Sequence, residues 1–198
     1  MKNILFIIVT LITFSLSANT EQIKLTNQEQ NIFYYSVCDN NIEAPQGYSW
    51  VKLKAIKTSV LQPDNWFFNA EKQNKTLAYF ITKEDYTKDP NQMFATGFSL
   101  NVLTDIGERK AVNFVETMVS NLIKQGTAIK QEEIKNNNLI GKLLIIQIGN
   151  TIIEYKIVGN KKTNKVYIAS FETPANKWEK NKNIAKTILD KLNFNQKF

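Results

Sequence analysis

The sequence predicts an α+β domain: a mainly antiparallel sheet with two amphipathic helices packed on it. Three observations predict it. Apolar residues alternate with polar ones, or form short bulky runs, through most of residues 48–104 and 142–172. Two other stretches, 108–125 and 176–192, repeat apolar residues at helical spacing. The order is strands, helix, strand meander, helix, which suits helices laid on one antiparallel sheet.

The elements follow in chain order. Residues 19–47 are rich in Asn and Gln, with Ile32–Val37 as a short strand candidate and Pro45-Gln46-Gly47 as a turn. From Trp50 to Leu61 polar Lys52, Lys54, Lys57 and Ser59 intersperse with Val51, Leu53, Ile56 and Val60. This predicts one strand, ended by Pro63-Asp64-Asn65. Trp66-Phe67-Phe68 opens a second apolar piece, and 69–76 reads as a polar turn. Leu77–Thr82 is a bulky run suited to an inner strand. A polar loop over 84–92 leads to a further strand over 94–104. Asp105 as N-cap, with Glu108 three residues later, predicts the start of the first helix. Ala111, Val115, Met118 and Leu122, widened by Val112, Val119 and Ile123, form its apolar stripe, and Gly126 serves as its terminating glycine. Residues 127–141 read as polar connection. Lys142–Ile148 and Thr151–Val158 make a hairpin about Gly149-Asn150, and Lys165–Glu172 follows as a third strand, broken by Pro174. In the last helix Trp178, Ile184, Ala185, Ile188, Leu189 and Leu192 share one face. Lys177, Lys180, Lys182, Lys186 and Lys191 point elsewhere.

The chain has 198 residues, 43% of them apolar, enough for one domain with a real core. Its first eighteen residues combine Lys2, an apolar run over Ile4–Leu16 and small residues Ser15, Ser17 and Ala18. This is the pattern of a secretory signal peptide cut after Ser17 or Ala18. The run is shorter than the roughly 20 residues of a membrane-spanning helix, so no transmembrane segment is expected after cleavage. No Cys stands at the junction, which argues against a lipid anchor. The expected destination is periplasmic or secreted. The predicted organisation is a signal peptide over 1–18, a polar segment over 19–47 and one folded domain over 48–195.

The net charge of +7 is uneven. Residues 19–159 hold fifteen basic and fifteen acidic residues, while 160–198 hold nine Lys against Glu172, Glu179 and Asp190. The excess lies in the final 39 residues. It predicts a basic face for an acidic protein partner or envelope surface, carried by Lys177, Lys180, Lys182 and Lys186. Every cation there is Lys, whereas bidentate phosphate recognition prefers Arg, so no nucleic acid is expected.

There is no histidine, so a Ser-His-Asp or Cys-His arrangement and a Cys/His zinc site are excluded. No phosphate-cradling glycine pattern occurs, and no cofactor is expected. The single cysteine, Cys38, reads as a small apolar residue beside Val37, the alternative being a reactive thiol or a pairing with another chain. Glu84, Asp85 and Asp89 share a loop but lack the spacing of an EF-hand. Glu132-Glu133 reads as a solvated pair. Asn74-Lys75-Thr76 fits a glycosylation sequon, which matters only in a eukaryotic secretory route, and the Asn/Lys/Ile-rich composition points to a bacterium.

Three features together resemble the PsbP family and its wider fold group, which includes bacterial periplasmic relatives such as DcrB. They are Pro63-Asp64-Asn65-Trp66 closing an early strand, the long helix after the fourth strand, and the ending. That ending runs from a hairpin through Lys165-Val166-Tyr167-Ile168-Ala169 and Lys177-Trp178 to a helix finishing at Leu192-Asn193-Phe194. The resemblance covers about residues 48–195. It implies a PsbP-like α/β/α sandwich with Trp66 and Trp178 as core anchors, and a non-catalytic accessory or binding role. The alternatives are a carboxylate-based hydrolase of an envelope polymer and a secreted effector or inhibitor.

Overall fold

In a computed structural model, residues 34–35, 43–73, 75–85, 94–195 and 197 are described. The expectations for residues 1–18, Cys38, Asn74 and Asp89 fall outside them. The strands are β1 (Tyr34–Tyr35), β2 (Tyr48–Leu53), β3 (Thr58–Pro63), β4 (Phe67–Gln73), β5 (Thr76–Thr82) and β6 (Gly97–Leu103). Helix α1 (Ala111–Ile123) precedes β7 (Thr127–Asn136), β8 (Leu139–Ile148), β9 (Thr151–Asn160) and β10 (Lys165–Pro174). Helix α2 (Trp178–Lys191) follows.

A seven-stranded sheet runs in the order β4-β5-β6-β10-β9-β8-β7, every neighbour antiparallel, and β1-β2-β3 form a second, small sheet. The alternation along β10 sorts its two faces. Val166 and Ile168 join a core with Val115, Val119 and Leu122 of α1. Tyr167, Ala169 and Phe171 join a core with Ala185, Ile188 and Leu189 of α2. The helices therefore cover opposite faces, because side chains switch sides at every residue of a strand. The β2-β3 hairpin packs on the α2 side, where Leu53, Ile56, Val60 and Leu61 are fully buried. The α+β class and the helix-on-both-faces arrangement stand as predicted.

Several element bounds differ from expectation. The single strand predicted over 50–61 is a hairpin, β2-β3, turning through a short 3-10 segment at Lys54–Ile56. The turn contains no Gly, Pro, Asn or Asp, so no breaker marks it. Lys57 instead takes a left-handed conformation, φ 50°. The polar stretches read as turn (69–76) and connection (127–141) are mostly β4 and β7. These are the two edges of the large sheet, where solvated faces and charged side chains replace the apolar pattern of inner strands.

The first helix begins at Ala111 and not beside Asp105. Asp105 accepts the amide of Gly107 at 2.7 Å and pairs with Lys75, so its carboxylate serves a preceding turn. The helix is capped from elsewhere. Asn164, in the β9-β10 connection, accepts the Ala111 amide at 2.8 Å and donates to the Arg109 carbonyl at 3.0 Å. Gly126 is not a left-handed terminator either, since only Gly47, Gly107 and Gly149 among the glycines have positive φ. Its requirement is space: a Cβ there would lie 2.3 Å from the Gln147 carbonyl oxygen.

Candidate functional site

The candidate surface belongs to α2, and its placement follows from the inner face of that helix. Ala185, Ile188 and Leu189 are buried against the sheet and the hairpin. A polar residue joins them: Asn181 is 4% exposed and donates to Thr173 Oγ1 at 2.8 Å, and Thr173 in turn bonds Thr96 at 3.0 Å. The far end is held by Lys156 on β9, whose ammonium donates to the carbonyls of Leu189 and Leu192 at 2.8 and 2.9 Å. This donor satisfies helix-terminal carbonyls that no intrahelical amide can reach. Burial pushes the Lys156 ammonium below its usual range.

With the inner face fixed, Lys177, Lys180, Lys182 and Lys186 are all exposed. Their electrostatic settings differ. Lys182 pairs with Glu179 one turn earlier, and Lys186 pairs with Asp190 at 3.0 Å. Lys186 also faces Glu154 of β9, a carboxylate 8% exposed whose pKa is raised by burial and then by Asp190, against the pull of Lys130 and Lys186. Lys177 and Lys180 draw no ion pair among the described residues. They occupy the N-cap and the first turn of α2, and no side chain caps that end. Cations there oppose the helix dipole, at a cost of about 0.3–1 kcal/mol each.

Trp66 and Trp178 are half-buried and pack against the α2-side core. Trp66 follows a turn in which its amide donates to the Pro63 carbonyl at 3.2 Å, and its ring stacks on Phe171 at 6.2 Å.

The carboxylates separate rather than converge. Glu84 accepts the amides of Ala95 and Thr96 at 3.2 and 3.1 Å, so it braces the two ends of its loop. Glu132 pairs with Lys130 at 2.8 Å, and Glu133 with Lys142 at 2.5 Å. Among the described residues no cluster of Cys, Asp and Glu could hold a metal. Glu172, which the sequence marks only as the end of a strand and one of the few acids of the C-terminal segment, is 8% exposed, and burial pushes its pKa up to about 7. It lies opposite Ile153 on the α1 face, whereas Glu154 lies opposite Phe171 on the α2 face. The sheet stands between the two buried carboxylates, so they cannot straddle one bond as a glycosidase pair does.

The sequence also hid a second basic feature. Lys52, Lys54 and Lys57 sit in the segment whose charges cancel overall, and the β2-β3 turn brings them together around a cavity. A hairpin assignment would have exposed the grouping; a single strand disperses it.

No protein-family model and no curated protein matches the chain. Among solved structures it is similar to the solution structure of cyanobacterial PsbP (CyanoP) from Synechocystis sp. PCC 6803. The sequences are 13% identical, 80% of this chain and 98% of that chain are covered, and the TM-score is 0.49. No helix among the described residues is long and apolar enough to cross a membrane.

Proposed function

We propose that the protein is an exported, non-catalytic binding or accessory domain. Its α2 surface meets an acidic protein or envelope surface through Lys177, Lys180, Lys182 and Lys186. The observation that carries this reading is the charge at the start of α2. Lys177 and Lys180 stand exposed at an uncapped helix N-terminus, where the dipole disfavours them. A residue choice that breaks a local rule without a compensating contact is the mark of a functional constraint. These lysines, with Glu179, the acid of the same turn, paired to Lys182, add to one positive field, which attracts carboxylates and accelerates encounter.

Separate replacements test the reading. Lys177→Glu with Lys180→Glu lowers capture of the partner from an envelope extract at least tenfold, on the order of 1.4 kcal/mol. The same pair raises stability by about 1 kcal/mol, because acids replace cations at the N-terminus. Capture unchanged in the double variant, with the fold intact by circular dichroism, sinks the basic-face reading. Export is tested on its own: sequencing the mature protein from its native host is expected to find Ala18 or Asn19 as the first residue.

A further inference from the structure

The tip of the β2-β3 hairpin borders an open hollow of about 310 Å³ lined by Lys52, Leu53, Lys54, Lys57, Thr58 and Ser59. Three of the six described lining residues are cationic, two carry hydroxyls, and no carboxylate is among those six. We infer that this cavity is a binding site for a phosphate group borne by a small polyanion or a lipid headgroup. It is separate from the α2 lysines and does not depend on them.

Three features of the tip support the assignment. The first is rigidity. The Lys57 amide donates to the Lys54 carbonyl at 3.1 Å, and the Lys57 carbonyl accepts from Asn195 at 3.4 Å. The Thr58 hydroxyl donates to the Asn193 carbonyl. Residues 193–195 are themselves fixed, because Phe194 is 5% exposed and packs on the Tyr167 ring at 4.7 Å. The cavity wall is thus bolted to the main core, and a preorganised site loses less freedom when a ligand binds.

The second is residue choice. Lys57 holds the left-handed conformation, φ 50°, that Gly or Asn adopts at lower cost. A lysine there trades backbone ease for a charge beside the cavity. The third is the kind of charge. A lysine ammonium is a compact point charge with three rotatable donors, suited to a rounded, multiply charged oxyanion. A planar carboxylate gains more from an Arg fork, and the described lining has none. Its volume is at the lower end of small-ligand sites, which fits a headgroup rather than a large cofactor.

The test uses the whole protein and two probes. The first is sodium tripolyphosphate, titrated at low salt while backbone amide resonances are followed by NMR. Saturable shifts are expected at residues 52–59. The variant K52Q/K57N keeps a residue at 57 that tolerates the left-handed backbone, and it is expected to raise the tripolyphosphate Kd at least about tenfold. Its thermal midpoint is expected to match the parent, and Lys52→Gln alone gives a milder loss if the pair is unstable. Lys177→Glu with Lys180→Glu is expected to change this Kd less than about twofold.

The second probe is co-sedimentation with phosphatidylcholine vesicles, with and without phosphatidylglycerol. Binding to the anionic vesicles that K52Q/K57N abolishes assigns the phosphate to a lipid headgroup. Binding of tripolyphosphate alone assigns it to a soluble ligand. No saturable shift at 52–59 together with no anionic-vesicle binding overturns the site. Equal losses in the hairpin and α2 variants overturn it as well, since they mean diffuse charge and not a pocket.

Discussion

Among the described carboxylates, Glu172 is one whose chemistry departs far from its solution behaviour. Its carboxyl lies 8% exposed on the α1 face, and the buried Tyr155 hydroxyl, which finds no hydrogen-bond partner among the described residues, interacts with its charge. Burial lifts the folded pKa from 4.5 to about 7. An acid with a raised folded pKa binds its proton more tightly in the folded state, so it favours folding at low pH. The contribution is complete below pH 4.5 and disappears as pH rises through about 7. Its size is on the order of 3 kcal/mol. Glu172→Gln is therefore expected to raise the thermal midpoint relative to the parent at pH 8 and to narrow that difference at pH 4.5. Urea unfolding at the two pH values measures it, and a difference independent of pH refutes the burial argument. Lys156 makes a second residue-scale prediction. Lys156→Met removes the donor to the carbonyls of Leu189 and Leu192 and is expected to cost about 1–3 kcal/mol in urea denaturation. Neither role is legible in the sequence. Glu172 and Lys156 look like ordinary polar positions of alternating strands, and only the layer above each strand decides whether such a position meets water.

At the scale of elements, the large sheet is shaped by close approach as much as by apolar pattern. A Cβ on Gly141 would sit 2.0 Å from the Ile157 carbonyl oxygen of the neighbouring strand. Gly141→Ala is thus expected to cost about 3 kcal/mol, since backbone and not a flexible side chain must yield. The cap of α1 is a long-range device, because Asn164 reaches across 53 residues to the Ala111 amide. Asn164→Ala is expected to cost about 1–2 kcal/mol, through loss of the cap and strain at φ 53°. Asn164→Gly is expected to cost less, because it keeps the backbone freedom. Equal costs in chemical denaturation would show that the left-handed backbone contributes nothing, and an Asn164→Gly variant as stable as the parent would show that the cap contributes nothing. The helices and inner strands were legible because each buries one face and repeats with a fixed period: Val115, Val119 and Leu122 in α1, Ile188 and Leu189 in α2. The edge strands were not. In β7 only Ile134 is even half-buried, so its sequence carries no period to read. The β2-β3 turn was hidden for a different reason: an unmarked left-handed lysine does the work of a glycine.

For the whole molecule, the sheet is a shared wall between two cores, one under α1 and one under α2 with the hairpin beside it. Ile188 lies fully buried where α2 covers the sheet and β3, so Ile188→Ala is expected to cost about 2–5 kcal/mol. A loss confined to α2, with cooperative unfolding of the rest, would show that the two cores are independent units. The sequence by itself determined the α+β class, the two helices, the inner strands and the basic C-terminal face. Those properties follow from periodicity and local charge, which are written along the chain. Tertiary structure alone decided which helix covers which face, which lysines of α2 keep their charge unpaired, and that Lys52, Lys54 and Lys57 share one cavity. It also put Glu154 and Glu172 on opposite sides of the sheet. The physical reason is common to all of these: strand register and layer order bring together residues far apart in sequence, and neither leaves a local trace.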